Sequence, residues 1–165
     1  MTDTQRTTDG IDPRSPRFGA SITATLLLIV VFAGLTQPAG RTTLVERLTQ
    51  PASLLLLVLA ALFAWGAFAG IRRHPYGVLF RRVVRPRLAP PVEPEAPEPP
   101  TFAQGVGLLV TVVGLVLHAI GVPGALVLSA SAAFVAAFLN AAFDYCLGCQ
   151  LYVLLVRTRL IGRRA

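Results

Sequence analysis

Four long apolar runs, separated by polar or charged stretches, dominate the hydrophobic pattern of the chain. They cover residues 18–35, 51–71, 102–120 and 124–143, and none of them contains Arg, Asp or Glu. An α-helix rises 1.5 Å per residue, so runs of roughly 18–21 residues can cross a hydrocarbon core of about 30 Å. The pattern therefore predicts an all-α integral membrane protein, built as a bundle of four transmembrane helices.

The two halves of the chain show a weak internal similarity. When Phe63 is aligned with Phe134, residues 74–77 (HPYG) fall against residues 145–148 (YCLG). Related halves would form two hairpins that repeat about an axis along the membrane normal. Chance similarity between apolar stretches explains the same observation, so both interpretations stay open.

The polar stretches divide the chain into five segments. Residues 1–17 form a tail of mixed charge, and the apolar run after it is expected to be retained, not cleaved as a signal peptide. Residues 18–71 form a first transmembrane hairpin, and residues 102–156 form a second one that carries the CxxC pair. Between them, residues 72–101 comprise a basic segment at the lipid interface and an extended Pro-rich cytoplasmic linker. Residues 157–165 form a basic tail.

The charge distribution predicts how the chain is oriented. Thirteen arginines lie in the two tails and the middle loop, whereas two lie in the loop after the first span. The positive-inside rule therefore predicts a multi-pass inner-membrane protein with both termini in the cytoplasm. All basic residues are arginine, which pairs with phosphate in a bidentate way, so the net charge of +7 indicates anionic lipid headgroups as partners. Nucleic acid is not expected, because the arginines flank apolar spans and no soluble fold lies between them.

The only cysteines, Cys146 and Cys149, form the one constellation with chemistry. At i, i+3 on a helix they are close enough for a disulfide or for binding one metal ion. A reactive dithiol needs a thiolate, which apolar surroundings and the neighbouring Asp144 both disfavour. A tetrahedral metal site needs two more ligands, which His74 and a second copy of the chain would have to supply. Two inert cysteines that pack as small hydrophobes are the third possibility.

The last apolar run also carries polar and small residues with structural expectations. On one straight helix Asn140 and Asp144 would face away from the cysteines, unless Gly148 breaks the helix. Asn140 is expected to hydrogen-bond another helix inside the membrane. An i, i+4 stripe of small residues is expected to mark close helix packing; it consists of Ser129, Ala133, Ala137 and Ala141.

Four segments of the sequence, residues 11–20, 74–80, 138–140 and 146–149, together resemble an actinobacterial membrane family. It is catalogued as domain-of-unknown-function family forty-three ninety-five, and the resemblance covers about residues 11–152. The resemblance implies a four-helix membrane protein with a paired-cysteine motif, here CLGC. Members of this family tend to occur beside thioredoxin-like and rhodanese-like proteins, so it also implies a partner of one of these kinds.

These observations favour a membrane partner in thiol–disulfide or sulfur handling, without a cofactor and with little or no enzymatic activity of its own. Cys146 and Cys149 are the candidate dithiol, and His74 is a candidate auxiliary group. Because the cytoplasm is reducing, the pair is expected to cycle and not to form a permanent disulfide. The alternative is a scaffold subunit of a membrane complex, with no chemistry at the cysteines. Such a scaffold would be held by small-residue helix faces and a basic cytoplasmic surface. A homo-oligomer is compatible with both functions.

Overall fold

The computed structural model describes residues 10–37, 43–89 and 93–160, and these residues are helical apart from turns and one isolated bridge. Four of the helices are long and apolar enough to cross a membrane, as the hydropathy pattern predicts. The predicted all-α bundle is therefore confirmed. In chain order the α-helices are α1 (Arg14–Leu35), α2 (Leu44–Thr49), α3 (Pro51–Ala69), α4 (Pro75–Leu79), α5 (Glu98–Ala119), α6 (Ala125–Phe143) and α7 (Leu147–Arg157).

The four long helices, α1, α3, α5 and α6, form a closed ring. Helix α1 packs against α3 and α6, and α5 packs against the same two helices. Helices α1 and α5 are therefore diagonal to each other, as are α3 and α6. A repeat of two hairpins about an axis along the bundle requires this arrangement.

The segment between α3 and α5 is more helical than the sequence indicates. Residues 71–87 form consecutive helical turns, namely Ile71–Arg73, α4, Phe80–Val84 and Arg85–Arg87. Phe80 is buried and lies against Phe18, with 5.8 Å between their ring centroids, so it anchors this basic segment to α1. At the other end of the segment, α5 begins at Glu98, so the last residues of the predicted extended linker are helical. Proline is tolerated there because the first helical N–H groups have no partner within the helix.

We call one end of the bundle the cysteine end; α1 and α5 begin there, and α3 and α6 end there. Most of the basic segments lie there too. Ile11 and Glu95 exchange two backbone hydrogen bonds of 2.8 and 2.9 Å, which join the N-terminal segment to the linker. Arg17 Nε lies 3.5 Å from Asp144 Oδ1, after the end of α6. At the opposite end, Arg47 donates a hydrogen bond of 3.1 Å to the carbonyl of Ala119.

The buried core occupies the half of the bundle away from the cysteine end. Its members come from α1, α3 and α6, and they are Leu27, Val30, Ala52, Leu56, Leu59, Leu126, Ala130 and Ala133. Large apolar side chains also cover the outside of the bundle, where Leu109 and Leu128 are exposed. An apolar exterior of this kind suits hydrocarbon and not water.

Candidate functional site

The chain turns sharply between α6 and α7, and this turn determines where the cysteines lie. Asp144 follows the last residue of α6 with φ 59°, in the left-handed region, and its N–H bonds to the carbonyl of Asn140 at 3.2 Å. Asp is one of the few residues other than Gly that enter this region without a large penalty. The sequence left open whether Gly148 breaks the helix; it does not, because it lies inside the first turn of α7. The break comes earlier, at residues 144–146.

Cys146 is the N-terminal capping residue of α7. Its backbone is extended, and its Sγ accepts a hydrogen bond of 3.2 Å from the N–H of Cys149. The two cysteines form a disulfide, their Cα atoms are 5.2 Å apart, and both residues are partly exposed. Ser, Thr, Asp and Asn usually hold this position, because the first N–H groups of a helix lack intrahelical acceptors.

The helix terminus changes the expected chemistry of Cys146. When the pair is reduced, the Cys149 N–H and the positive end of the α7 dipole both favour a negative charge on the Cys146 sulfur. Apolar surroundings and Asp144 were the two grounds on which the sequence disfavoured a thiolate. A helix N-terminus at Cys146 is a third and opposing influence, which arises because α7 starts immediately after Cys146.

A cavity of about 260 Å³ lies inside the bundle beside Cys146. It is bounded by α1, α5 and α6, by Phe63 of α3, by the start of α7, and by the segment around α4. Most of its wall is apolar. The polar or sulfur-bearing side chains that line it are Ser15, Thr23, His74, Tyr76, Gln104, Asn140 and Cys146.

Small residues leave the room that the cavity occupies. Gly19 on α1, Gly107 on α5 and Ala137 on α6 all line it. The small-residue stripe of α6 therefore has two roles. Ser129 fits closely against Gly114 of α5, where a Cβ atom would overlap its side chain, as close packing predicts. Ala133 and Ala137, nearer the cysteine end, instead line the cavity.

His74 lies in the cavity wall as a buried and neutral side chain. It caps α4: its Nδ1 accepts the N–H of Tyr76 at 3.3 Å, and its Nε2 lies 3.2 Å from the carbonyl of Leu62. This pair of partners assigns the proton to Nε2, since a carbonyl can only accept. Burial lowers the pKa of His74. Both ring nitrogens are occupied, so His74 can take up a proton from another group only by giving up its bond to Tyr76.

Two amide side chains face the cavity without a protein partner. In the described part of the chain, neither Asn140 nor Gln104 makes a side-chain hydrogen bond, and the same holds for the hydroxyl of Ser15. The expectation that Asn140 ties α6 to another helix is therefore wrong. Because of the turn at Asp144, Asn140 and Cys146 line the same cavity and do not face away from each other.

The site also shows which functional candidates sequence reasoning missed. Gln104 and Tyr76 were not among the functional candidates. Gln104 is a polar residue within an apolar span, and such a residue is a functional candidate by default. A stronger signal was available. Each of the four segments that carry the family resemblance contributes to the cavity wall, through residues such as Ser15, Tyr76, Asn140 and Cys146.

The described residues contain no group of three or more His, Cys, Asp or Glu side chains that could hold a metal ion. A metal bound by Cys146 and Cys149 would therefore need ligands from outside the described part of the chain, for example from a second copy.

Comparison with family models matches residues 11–157 to a family described as Domain of unknown function (DUF4395). The matched region runs from the N-terminal segment to the end of α7 and contains every residue that lines the cavity. Comparisons with curated proteins and with solved structures found no significant match.

Proposed function

Because the chain belongs to the DUF4395 family, whose function is unknown, we propose a function from the site itself: this is a membrane partner in thiol–disulfide or sulfur handling. The reactive pair is Cys146 and Cys149. The observation that carries the proposal is the position of Cys146 at the N-terminus of α7, where Sγ accepts the N–H of Cys149.

In the exchange reaction the Cys146 thiolate attacks a disulfide of the partner. One partner sulfur leaves as a thiolate and takes up a proton, and a mixed disulfide joins the two proteins. The Cys149 thiolate then attacks Cys146 Sγ, which releases the second partner thiol and forms the Cys146–Cys149 disulfide. Two electrons pass from the pair to the partner. In the opposite direction, a partner dithiol reduces the pair through the same mixed disulfide.

The proposed setting is the inner membrane, with both termini in the cytoplasm. The fold supports it, because the N-terminal segment, the middle loop and the end of α6 meet at the cysteine end of the bundle. At the opposite end, the described part of the chain places Arg47 against Ala119. The cysteines would then face a soluble thioredoxin-like or rhodanese-like partner, with the arginines on anionic lipid headgroups.

A cysteine-trapping experiment in native membranes tests this function. Cys149→Ser leaves the attacking sulfur but cannot resolve a mixed disulfide, so it should accumulate a partner adduct that dithiothreitol releases. Cys146→Ser is the matched control and should accumulate none, since Cys149 lies one turn into the helix. Absence of an adduct, together with a Cys146/Cys149 double serine variant that keeps full cellular function, would exclude the proposal. Copurification with a larger complex regardless of both cysteines would instead support a scaffold role.

A further inference from the structure

The cavity beside Cys146 is suited to a neutral ligand. Among the residues that the structure describes, no Arg, Asp or Glu lines it, and His74 in its wall is neutral. A charged ligand would lose its hydration without gaining a counter-charge, which costs several kcal/mol or more. The volume of about 260 Å³ lies just below the roughly 300–1,000 Å³ of sites for drug-sized ligands, which suits a single substituted ring.

The side chains of Asn140 and Gln104, which have no hydrogen-bond partner among the described residues, favour a ligand with carbonyl oxygens. The side-chain amides of Asn140 and Gln104 can each donate hydrogen bonds, and they come from different helices, α6 and α5. Gln104 is also held in place by close contact with Gly66 of α3, where a Cβ atom would lie 2.6 Å from Gln104 Cγ. A largely apolar pocket favours a ligand that satisfies such donors over one that leaves them unpaired.

We propose that the cavity binds the head group of a lipid-soluble quinone, which oxidises the Cys146–Cys149 dithiol to the disulfide. This inference rests on the proposed thiol–disulfide function and names its electron acceptor. A quinone is neutral, enters from the hydrocarbon phase, carries two carbonyl acceptors on one ring and accepts two electrons. The cavity brings that ring to Cys146, the residue whose sulfur the helix terminus activates.

The oxidation balances without a further reactant. The Cys146 thiolate adds to a ring carbon of the quinone and forms a sulfur–carbon bond. The Cys149 thiolate then attacks Cys146 Sγ, which forms the sulfur–sulfur bond, and the electrons of the breaking sulfur–carbon bond stay on the ring. The two protons lost by the thiols are taken up by the two ring oxygens. A dithiol and a quinone thus become a disulfide and a hydroquinone.

The test uses the full-length protein, reduced and freed of reductant in detergent micelles, with decylubiquinone as the probe. Its ring is fully substituted, so it does not retain thiols as stable adducts. We expect one quinone to be reduced for each pair of thiols lost. The rate of disulfide exchange with oxidised glutathione is measured in parallel, because it reports the cysteine chemistry without the cavity.

Two cavity variants and one matched control identify the binding site. Asn140→Leu removes a donor and Ala137→Leu fills the cavity, and each should lower the ratio of the quinone rate to the glutathione rate about tenfold, which equals 1.4 kcal/mol. Val135→Leu adds bulk to the exposed face of the same helix and should leave this ratio unchanged.

The outcomes separate this inference from the function on which it rests. One outcome would overturn the quinone site alone. In it, the protein exchanges normally with oxidised glutathione, but decylubiquinone oxidises its dithiol no faster than it oxidises free dithiothreitol. A quinone rate that is the same in the wild type and both cavity variants would also overturn it, and would indicate a cavity filled by lipid tails. If the wild-type protein does not exchange disulfides with oxidised glutathione at all, the thiol–disulfide function itself is refuted.

Discussion

The backbone N–H of Cys149 donates a hydrogen bond of 3.2 Å to the Sγ atom of Cys146. This contact makes the two cysteines unequal, although only two residues separate them. Cys146 caps the helix and receives the N–H, whereas Cys149 lies inside the first turn and donates one. The positive end of the helix therefore acts mainly on the sulfur of Cys146.

The first prediction is that this asymmetry appears as a difference in thiol reactivity. A helix N-terminus favours the thiolate form of a cysteine that caps it. At pH 7, iodoacetamide should therefore alkylate Cys146 in the Cys149→Ser variant about five to ten times faster than Cys149 in the Cys146→Ser variant. In concentrated urea the two rates should converge. Equal rates in the folded protein would show that the capping contact does not activate Cys146.

The second prediction concerns the turn that positions the cysteines. Asp144 has φ 59°, and a β-branched residue is strongly disfavoured there. Asp144→Val should destabilise the protein by about 1–2 kcal/mol and lower its apparent Tm in detergent by several degrees. It should also slow disulfide exchange, because the start of α7 would shift.

Asp144→Asn is the matched control for this turn. Asn tolerates the left-handed region, so the variant keeps the backbone conformation. It loses the contact with Arg17, which joins two substantially exposed side chains, and the repulsion between Asp144 and Glu95. Exposed ion pairs contribute little, so its Tm should stay within about 1–2 °C of the wild type. If both substitutions lowered the Tm equally, the ion pair and not the backbone conformation would hold the turn.

Much of the fold could be predicted from the sequence, because hydrocarbon imposes few solutions on an apolar chain. An apolar run long enough to span the bilayer must be helical to satisfy its backbone, which fixed the four long helices. The break at Asp144 was not predictable in the same way. It depends on one residue in the left-handed region, and Gly148 nearby looked like the better helix breaker.

The contents of the site were harder to predict than the helices. His74 was a candidate from the sequence, and it does line the cavity with Cys146, but its two hydrogen bonds depend on tertiary contacts. Small residues such as Ala137 were expected to mark close helix packing, but Ala137 lines the cavity. A small side chain permits either close packing or an empty space, and only the arrangement of the neighbouring helices decides between them.

The third prediction concerns how α7 is held against α5. A Cβ atom at Gly148 would lie 2.5 Å from the Cβ and 2.7 Å from the Cα of Ala103, so Gly148→Ala forces the helices apart. We expect a loss of about 1–3 kcal/mol from overpacking, although alanine has the better helix propensity. Adding Ala103→Gly should restore part of this loss, because it removes one of the two clashes. A Gly148→Ala variant as stable as the wild type would show that α7 can shift freely.

The fourth prediction is a pH dependence of stability that originates at His74. Burial lowers the pKa of His74 below the value of about 6.5 expected in the unfolded chain, so the unfolded state binds the proton more tightly. Its contribution to stability is fully present above pH 6.5 and is lost as the pH falls from there towards the lower pKa of the folded state. The apparent Tm of the wild-type protein in detergent should therefore decrease between pH 7 and pH 5.

His74→Asn isolates the contribution of this one histidine. The oxygen of an Asn side chain can still accept the N–H of Tyr76 at the start of α4, but Asn does not titrate. The variant loses the bond to the carbonyl of Leu62, which should cost about 1 kcal/mol at pH 8. Between pH 7 and pH 5 its Tm should fall less than that of the wild type, so the two curves converge as the pH falls. Parallel curves would mean that other groups cause the pH dependence and that His74 titrates alike in the folded and unfolded states.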